Sequence, residues 1–398
     1  MAKSALVQPF ATFCKNIKSN EKTNTYVKSN YKKHKSEQKM NIVTICGGKS
    51  CEHDISVITA CQARGHFGDK LYGIYLDKNN VPYLVGNDVA PRDFGKRKRR
   101  VVFCFGEQSF RVRRGIFLGK PVHIDVVVNC CHGLCGEDGS VAALCALLGV
   151  PLVGSDIFSS AIAMDKVLTK YVLRTLRMPV LPYTVVTKGQ TDFIDVSLPT
   201  VVKPARLGSS IGVKLCRTRE ELVAALDTAF CYDDKVLCED AIDDFAELNC
   251  SAFRTCGAVR TSRVDSPTTV HDILTFEDKY LVGDKGMATS DNPPPPDSVT
   301  RRVRQLTERI YTELGFSGVV RVDYLFDKRR NKLYVNEINS VPGSLAYGLW
   351  KDDYGMTEFG AVLVKQAIDD FAAHAELTTA FDSSVLTCDT GNGGAKTR

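Results

Sequence analysis

Two apolar-alternating runs, Val319–Phe326 and Lys332–Ile338, flank the polar stretch Asp327-Lys328-Arg329-Arg330-Asn331. Two such runs around a turn predict a β-hairpin. Pairing constrains the side chains, because residues two apart in a strand share a face. Arg321 and Asp323 point one way, and Val320, Val322 and Tyr324 the other. On the partner strand Glu337 and Asn339 share a face, so pairing can bring them together with Asp323 beside Arg321. Two carboxylates and an amide oxygen form a hard, all-oxygen set suited to Mg²⁺. Such an ion commonly bridges nucleotide phosphates while an arginine neutralises transferring charge. A solvated strand face carrying an Arg321–acid salt bridge is the plainer reading, and pattern alone weighs the two equally.

The rest of the chain is organised around this pair. Residues 1–39 lack apolar periodicity and read as a disordered basic leader. Met40 opens the first clean strand and is itself a candidate start; a Lys-rich leader and a transit peptide stay open. Residues 40–150 alternate strand and helix, with strands at Ile42–Cys46, Leu71–Leu76 and Ile124–Asn129 and helices near Ile55–Phe67 and at Ser140–Leu148. That order predicts an open α/β sheet with ligand loops at the carboxyl ends of its strands. Residues 151–245 read as a small α+β domain. It holds a helix over Ser155–Met178, strands at Thr200–Lys203 and Ile211–Leu215, and a Thr218/Glu221 capping box. Residues 246–375 hold helix Ser298–Leu314 and the hairpin, and 376–398 read as a flexible tail.

Charge and cysteine content narrow the partners. The formal net charge is +6, with much of the excess in the leader and a second basic run over Pro91–Arg100. No aromatic platform accompanies either run, so both are read as solvated, with neither nucleic acid nor membrane as a partner. Fifteen cysteines in a long chain without a secretory leader, and without paired CxxC elements, predict reduced, core-packed thiols in a cytoplasmic protein.

Three loops carry further chemistry. Lys203-Pro204-Ala205-Arg206-Leu207-Gly208-Ser209-Ser210-Ile211-Gly212 offers free N–H groups and hydroxyls to phosphates, although it is no Walker A loop. Gly47-Gly48-Lys49-Ser50-Cys51-Glu52 sits at a strand-to-helix turn, where Glu52 can hold a ligand ammonium or simply complement the helix dipole. His132-Gly133-Leu134-Cys135-Gly136-Glu137-Asp138-Gly139-Ser140 is either a third ligand loop or a Gly-rich turn with an Asp–Ser cap.

In this order the segments resemble the D-alanine–D-alanine ligases of the ATP-grasp superfamily, over about residues 41–370. The resemblance rests on GGKSCEHDIS, HGLCGEDGS, Gly154-Ser155-Asp156, Met164-Asp165-Lys166, VVKPARLGSSIGV, FEDKY, VRVDYLF and NEINSVPGS. It implies a three-domain ligase: an N-terminal open α/β sheet, a small central α+β domain and a C-terminal mixed-sheet domain. The implied reaction joins two D-alanines at the expense of ATP through an acyl phosphate, for peptidoglycan precursor synthesis. Mg²⁺ is implied as two ions, with Mn²⁺ as a substitute, and relatives commonly form homodimers.

Residue by residue, the resemblance puts Lys166, Lys203, Ser209 and Ser210 on the ATP phosphates, Glu239 near the adenine and Glu247 near the ribose. Asp323, Glu337 and Asn339 would hold the metal ions. Glu52 would bind the first D-alanine's ammonium, with His132 nearby, and Glu52, Ser209 and Tyr280 would lock a lid loop over 272–297. Lys279 would place the second substrate, while Arg321 and the Gly343 N–H would stabilise the oxyanion. The chain departs from the family after Pro342-Gly343. Many members end a Thr-Ser-x-Ser run with a serine that grips the acceptor carboxylate, where this chain has Gly348-Leu349. That keeps D-lactate, D-serine or another amino acid open as acceptor, while Tyr280 favours an amine. A non-catalytic ATP-binding protein is the reading from another class.

Overall fold

The computed structural model describes residues 40–68, 71–86, 89–96, 98–189, 195–267 and 295–378. The leader, Lys279, Tyr280, most of the expected lid and most of the tail lie outside the described residues.

Strand β1 (Ile42–Gly47) is buried along its whole length. A strand without alternation needs both faces covered, and β1 has this: Ile42 and Cys46 enter one core, Val43 and Ile45 another. The first core lies under helix α1 (His53–Phe67), which follows β1 directly. Parallel neighbours of β1 are β2 (Leu71–Leu76) and β7 (Val126–Asn129). Helix α2 (Ser140–Leu148) closes the other core with Val141, Cys145 and Leu148. Between β2 and β7 the chain makes an antiparallel meander that the sequence reading does not contain: β3 (Pro82–Val85), β4 (Lys98–Cys104), β5 (Ser109–Arg114) and β6 (Phe117–His123). With the two-residue β8 (Leu152–Val153) this makes an eight-stranded sheet, ordered β6-β5-β4-β3-β2-β1-β7-β8. The meander escapes notice because β4 and β5 carry adjacent arginine pairs, Arg99–Arg100 and Arg113–Arg114, and β6 holds Gly119 and Pro121, so the period of two is blurred.

The expected helix over Ser155–Met178 is two helices, α3 (Ile157–Met164) and α4 (Lys166–Thr175). Asp165 breaks it. Its Oδ1 accepts the N–H groups of Val167 and Leu168 at 3.0 and 3.1 Å, an N-cap that requires extended backbone at Asp165 itself. A second sheet follows, ordered β11-β10-β12-β9: β9 (Tyr183–Thr187), β10 (Thr200–Pro204), β11 (Lys214–Cys216) and β12 (Lys235–Asp240). Strand β11 starts three residues later than the expected Ile211, because Gly208–Val213 is consumed by a turn. Helix α5 (Arg219–Ala229) packs on this sheet and begins at the Thr218–Glu221 capping box.

The third sheet is β14-β13-β15-β16, comprising β13 (Phe245–Thr255), β14 (Ala258–Thr261), β15 (Val320–Asp327) and β16 (Lys332–Asn339). Its described pairs are all antiparallel; parallel and antiparallel pairing mix in the first sheet instead. Helix α6 (Asp297–Glu313) covers it with Val303, Leu306 and Ile310. Ala163 and Leu173, from α3 and α4, join the same core. The last helix, α7 (Met356–His374), returns to the first core, where Phe359 and Leu363 meet Ala60 and Phe67. Packing therefore cuts across chain order at both expected boundaries, 150/151 and 245/246. All thirteen described cysteines are free and seven are buried. Among the described residues no helix is long and apolar enough to cross a membrane.

Candidate functional site

The β15–β16 register pairs Arg321 with Asn339 and Asp323 with Glu337. Arg321 forks onto Asp323, its Nε and Nη2 donating to the two carboxylate oxygens at 2.7 and 2.8 Å. Asn339 Nδ2 donates to Asp323 Oδ2 at 3.0 Å, and Asn249, opposite on β13, can donate to Oδ1 at 3.0 Å. Pairing then slips beyond Asp323, so Asn336 is bulged out between Val335 and Glu337. A bulge re-aims a side chain, and Asn336 Oδ1 accepts from Lys203 Nζ at 3.0 Å. The hairpin face is thus an oxygen-rich floor bordered by cations.

Lysines from the other elements lean over this floor. Lys166, first residue of α4, donates to Leu207 O at 2.7 Å and lies 3.7 Å from Glu337. Lys203, on β10, pairs with Glu239 on β12. From the other side Lys170, fully buried on α4, reaches Glu239 at 2.5 Å and donates to Val335 O at 3.1 Å. Burial alone would raise the Glu239 carboxyl, but the two ammonium groups outweigh it and hold it down to about 2. Glu239 is therefore an ionised anchor that fixes where Lys203 stands. Glu247 sits on β13 opposite Leu325, two residues before Asn249.

The Gly-Ser-Ser turn meets the first domain here. Ser209 Oγ donates to Glu52 Oε1 at 2.5 Å, joining residues 157 apart in the chain. Ser209 and Ser210 both have left-handed backbone, with φ of 54° and 57°. Glycine is needed beside them: a Cβ on Gly208 would lie 2.7 Å from Glu52 Oε1, and one on Gly133 would lie 2.6 Å from Oε2. Glu52 is buried, and among the described residues its Oε2 has no hydrogen-bond partner. Burial raises the carboxyl against the opposing pull of Ser209 and Lys166. A buried carboxylate with glycines around it fits a small ammonium group.

Glu137 is the residue that sequence reasoning missed. The expected Asp–Ser cap does not form: the N-cap of α2 is Gly139, without a side-chain cap, and Asp138 Oδ1 accepts the Ser140 N–H at 2.9 Å just ahead of the helix. Glu137 itself turns inward, accepting the N–H groups of Gly133 and Val341 at 2.8 and 3.2 Å. Burial, then the nearby Glu52, push it up to about 8. A glutamate between glycines just past a buried strand was the signal available. His132 Nδ1 is 3.9 Å from Glu137, and its Nε2 shares a hydrogen bond with Thr59 Oγ1 at 2.8 Å. Burial, helped by Arg321, lowers His132 to about 4, so the imidazole is neutral at physiological pH. Glu137, Lys166, Gly208, Glu337 and Asn339 line one narrow cleft.

Past the hairpin, Gly343–Leu349 forms a 3-10 turn in which Ser344, Leu345 and Ala346 all have left-handed backbone. Ser344 Oγ donates to Gln62 Oε1 on α1 at 2.5 Å, and Arg263 Nη2 donates to Gly348 O at 2.9 Å. Leu349 is buried in the first core and lends no polar group. Among the described residues, a Cβ on Gly343 would meet nothing within 4 Å.

Two family models match the chain: "D-ala D-ala ligase N-terminus" over residues 41–155 and "D-ala D-ala ligase C-terminus" over 172–356. A D-alanine–D-alanine ligase of Thermosipho africanus is 34% identical over 328 residues, covering 78% of this chain and 88% of the relative. One from Nitratiruptor sp. is 33% identical over 338 residues, covering 84% and 94%. Among solved structures, the D-alanine–D-alanine ligase of Coxiella burnetii superposes with a TM-score of 0.73 at 26% identity, covering 85% of this chain and 96% of that one. The VanG D-Ala:D-Ser ligase of Enterococcus faecalis shares the fold, with a TM-score of 0.68 at 23% identity and coverage of 83% and 100%.

Proposed function

The chain belongs to the D-alanine–D-alanine ligase family, and we propose that it is an ATP-dependent ligase that condenses two D-alanines to D-alanyl-D-alanine. The observation that carries this reading is the Ser209–Glu52 hydrogen bond. It brings a phosphate-type loop onto a buried carboxylate, within reach of the lysine-bordered hairpin acids.

The chemistry follows from the groups present. A carboxylate is a poor acyl donor, so the first D-alanine takes the γ-phosphoryl group of ATP on its carboxylate oxygen, and ADP leaves. The deprotonated amine of the second D-alanine then attacks the acyl carbon, and phosphate departs as the amide forms. In-line transfer needs positioning and charge neutralisation more than covalent help. Glu52 holds the first ammonium. Lys166 and Lys203 face the phosphates, with the Ser209–Ser210 turn above them, and Glu239 sets the reach of Lys203. Glu239 and Glu247 border the adenine and ribose end, Lys279 and Gly348 serve the acceptor, and Tyr280 locks the lid with Glu52 and Ser209. Arg321 and the Gly343 N–H stabilise the oxyanion; one such donor is worth ~3 kcal/mol.

Asp323, Glu337 and Asn339 fit Mg²⁺ by donor chemistry, all hard oxygens, two of them paired in register. In this structure Arg321, forked onto Asp323, balances that carboxylate. Held by these residues, Mg²⁺ would supply charge neutralisation to the nucleotide phosphates. A D-alanyl-D-alanine supply for peptidoglycan precursors places the enzyme in the cytoplasm, where ATP is available.

Identification of the product after incubation with ATP, Mg²⁺ and a panel of D-amino and D-hydroxy acids tests the reading. Dialanine with stoichiometric ADP is expected, and phosphate release indifferent to D-alanine would overturn it. A D-serine or D-lactate acceptor is the second reading. It is favoured by one observation: Gly348 offers only backbone to the acceptor carboxylate, and Arg263 occupies its carbonyl.

A further inference from the structure

We propose that the tip of the β5–β6 hairpin is a docking surface for an anionic lipid bilayer. The hairpin ends the first sheet, five strands away from β1 and the site that β1 feeds. Its turn is only Gly115-Ile116, since Arg114 pairs with Phe117 and Arg113 with Leu118. Gly115 takes the left-handed φ of 59° that so short a turn requires. Directly opposed residues share a face. Each face of the tip therefore carries one guanidinium and one large apolar side chain, with Ile116 at the apex. Ile116 is 84% exposed, Phe117 71% and Leu118 48%. Three adjacent apolar side chains standing out this far mark an interaction site rather than the scattered exposure of an ordinary surface.

The charge around them has one sign. Val101 pairs with Val112, so Arg100 and Arg99 run out toward the same end as Arg113 and Arg114, and all four are exposed. Residues 98–120 contain seven Lys or Arg and a single acid, Glu107, which lies at the opposite end of the hairpin beside Arg111. This short segment thus carries a formal charge equal to the +6 of the whole chain. The sequence reading treated its basic start as a solvated loop; folding places it next to an Ile-Phe-Leu tip.

Charge complementarity selects the occupant. A second copy docked here through a two-fold axis would set arginines against arginines. Residues 1–39 contain nine lysines against two glutamates and are repelled as well. A convex apex also offers no concave seat for a peptide side chain. An anionic bilayer satisfies both features. Ile116, Phe117 and Leu118 enter the boundary between headgroups and acyl chains, while Arg99, Arg100, Arg113, Arg114 and Lys120 meet lipid phosphates with their stems along the apolar layer.

The test uses the full chain and sedimentation with vesicles. Binding is expected to vesicles of mixed phosphatidylcholine and phosphatidylglycerol, weakened by salt, and absent from phosphatidylcholine alone. A cation at an anionic leaflet is worth about fivefold in partition. Arg113→Gln/Arg114→Gln should therefore lower binding by more than tenfold, and Ile116→Ser/Phe117→Ser by a similar factor. Both variants should keep wild-type turnover and melting temperature. The proposal fails if phosphatidylglycerol vesicles bind no protein, or if the four substitutions combined leave binding unchanged, which would assign it to the leader. It also fails if Phe117→Ser abolishes a concentration-dependent oligomer in light scattering. It fails too if a homopolymeric RNA binds more tightly than the vesicles and only the arginine variant is impaired.

Discussion

At the scale of single residues, the site is a set of buried charges whose partners are supplied by other parts of the chain. Asp323 and Glu337 meet across one register step, and each has a cation within 4 Å. Neutralising either acid removes a hard ligand while leaving the strand pairing intact. Asp323→Asn and Glu337→Gln are expected to abolish ligation, with melting temperatures close to wild type; product analysis and thermal denaturation check both. Turnover at wild-type rate in both variants would refute the metal assignment. Gly208 presents a different constraint. An added methyl would sit 2.7 Å from Glu52 Oε1 and push Ser209 off its acceptor. Gly208→Ala should lower kcat/KM for D-alanine by about tenfold or more, the value of one charge-assisted hydrogen bond, while the fold survives. Steady-state kinetics set beside circular dichroism would separate the two effects.

At the scale of elements, helix ends and strand slips place the reactive groups. Asp165 ends α3 and caps α4, which delivers Lys166 to the cleft and Lys170 to the buried Glu239. Asp165→Ala removes the cap and the partner of Lys235. A loss of about 1–2 kcal/mol in denaturant titration is expected, the usual cost of a lost N-cap. Lys170→Met leaves Glu239 with Lys203 as its remaining cation in a fully buried setting. Removing one partner of a buried pair costs roughly 3–5 kcal/mol. A loss below about 1 kcal/mol, on the scale of an exposed pair, would mean that Lys170 is not bonded to Glu239 in solution.

At the scale of the whole molecule, three sheets share borders, and titration of the buried groups ties stability to pH. His132 falls from the ordinary imidazole value of 6.5 to about 4 because it is buried. The unfolded chain therefore takes up the proton first, and the stability this residue supports is lost as pH falls from 6.5 toward 4. Glu137 runs the other way: raised to about 8, it costs stability as pH climbs from 4.5 toward 8. In His132→Gln the first contribution disappears. The difference between variant and wild type should shift toward the variant by up to about 3 kcal/mol as pH drops from 6.5 to 4, and be flat above 7. Paired denaturation curves across that range measure it. A constant difference would show that the imidazole is solvated.

Local pattern was enough for the hairpin and its two acids, because a period of two and a polar turn leave few registers. It was also enough for β1, for α2 and for the Thr218–Glu221 cap, all of which depend on neighbours within a few residues. The β3–β6 meander was not legible, since adjacent arginines in β4 and β5 and Gly119 and Pro121 in β6 erase the alternation. Glu137 was hidden for another reason: whether a loop carboxylate points to solvent or inward depends on Gly133 and Val341, one near and one 204 residues away. The same holds for the burial of Lys170, while the contact of Ser209 with Glu52 was expected from the family resemblance and not from spacing. Spacing along a chain determines which residues share a strand face or helix turn. Only packing of distant elements removes water from a charged group, and that removal creates the site.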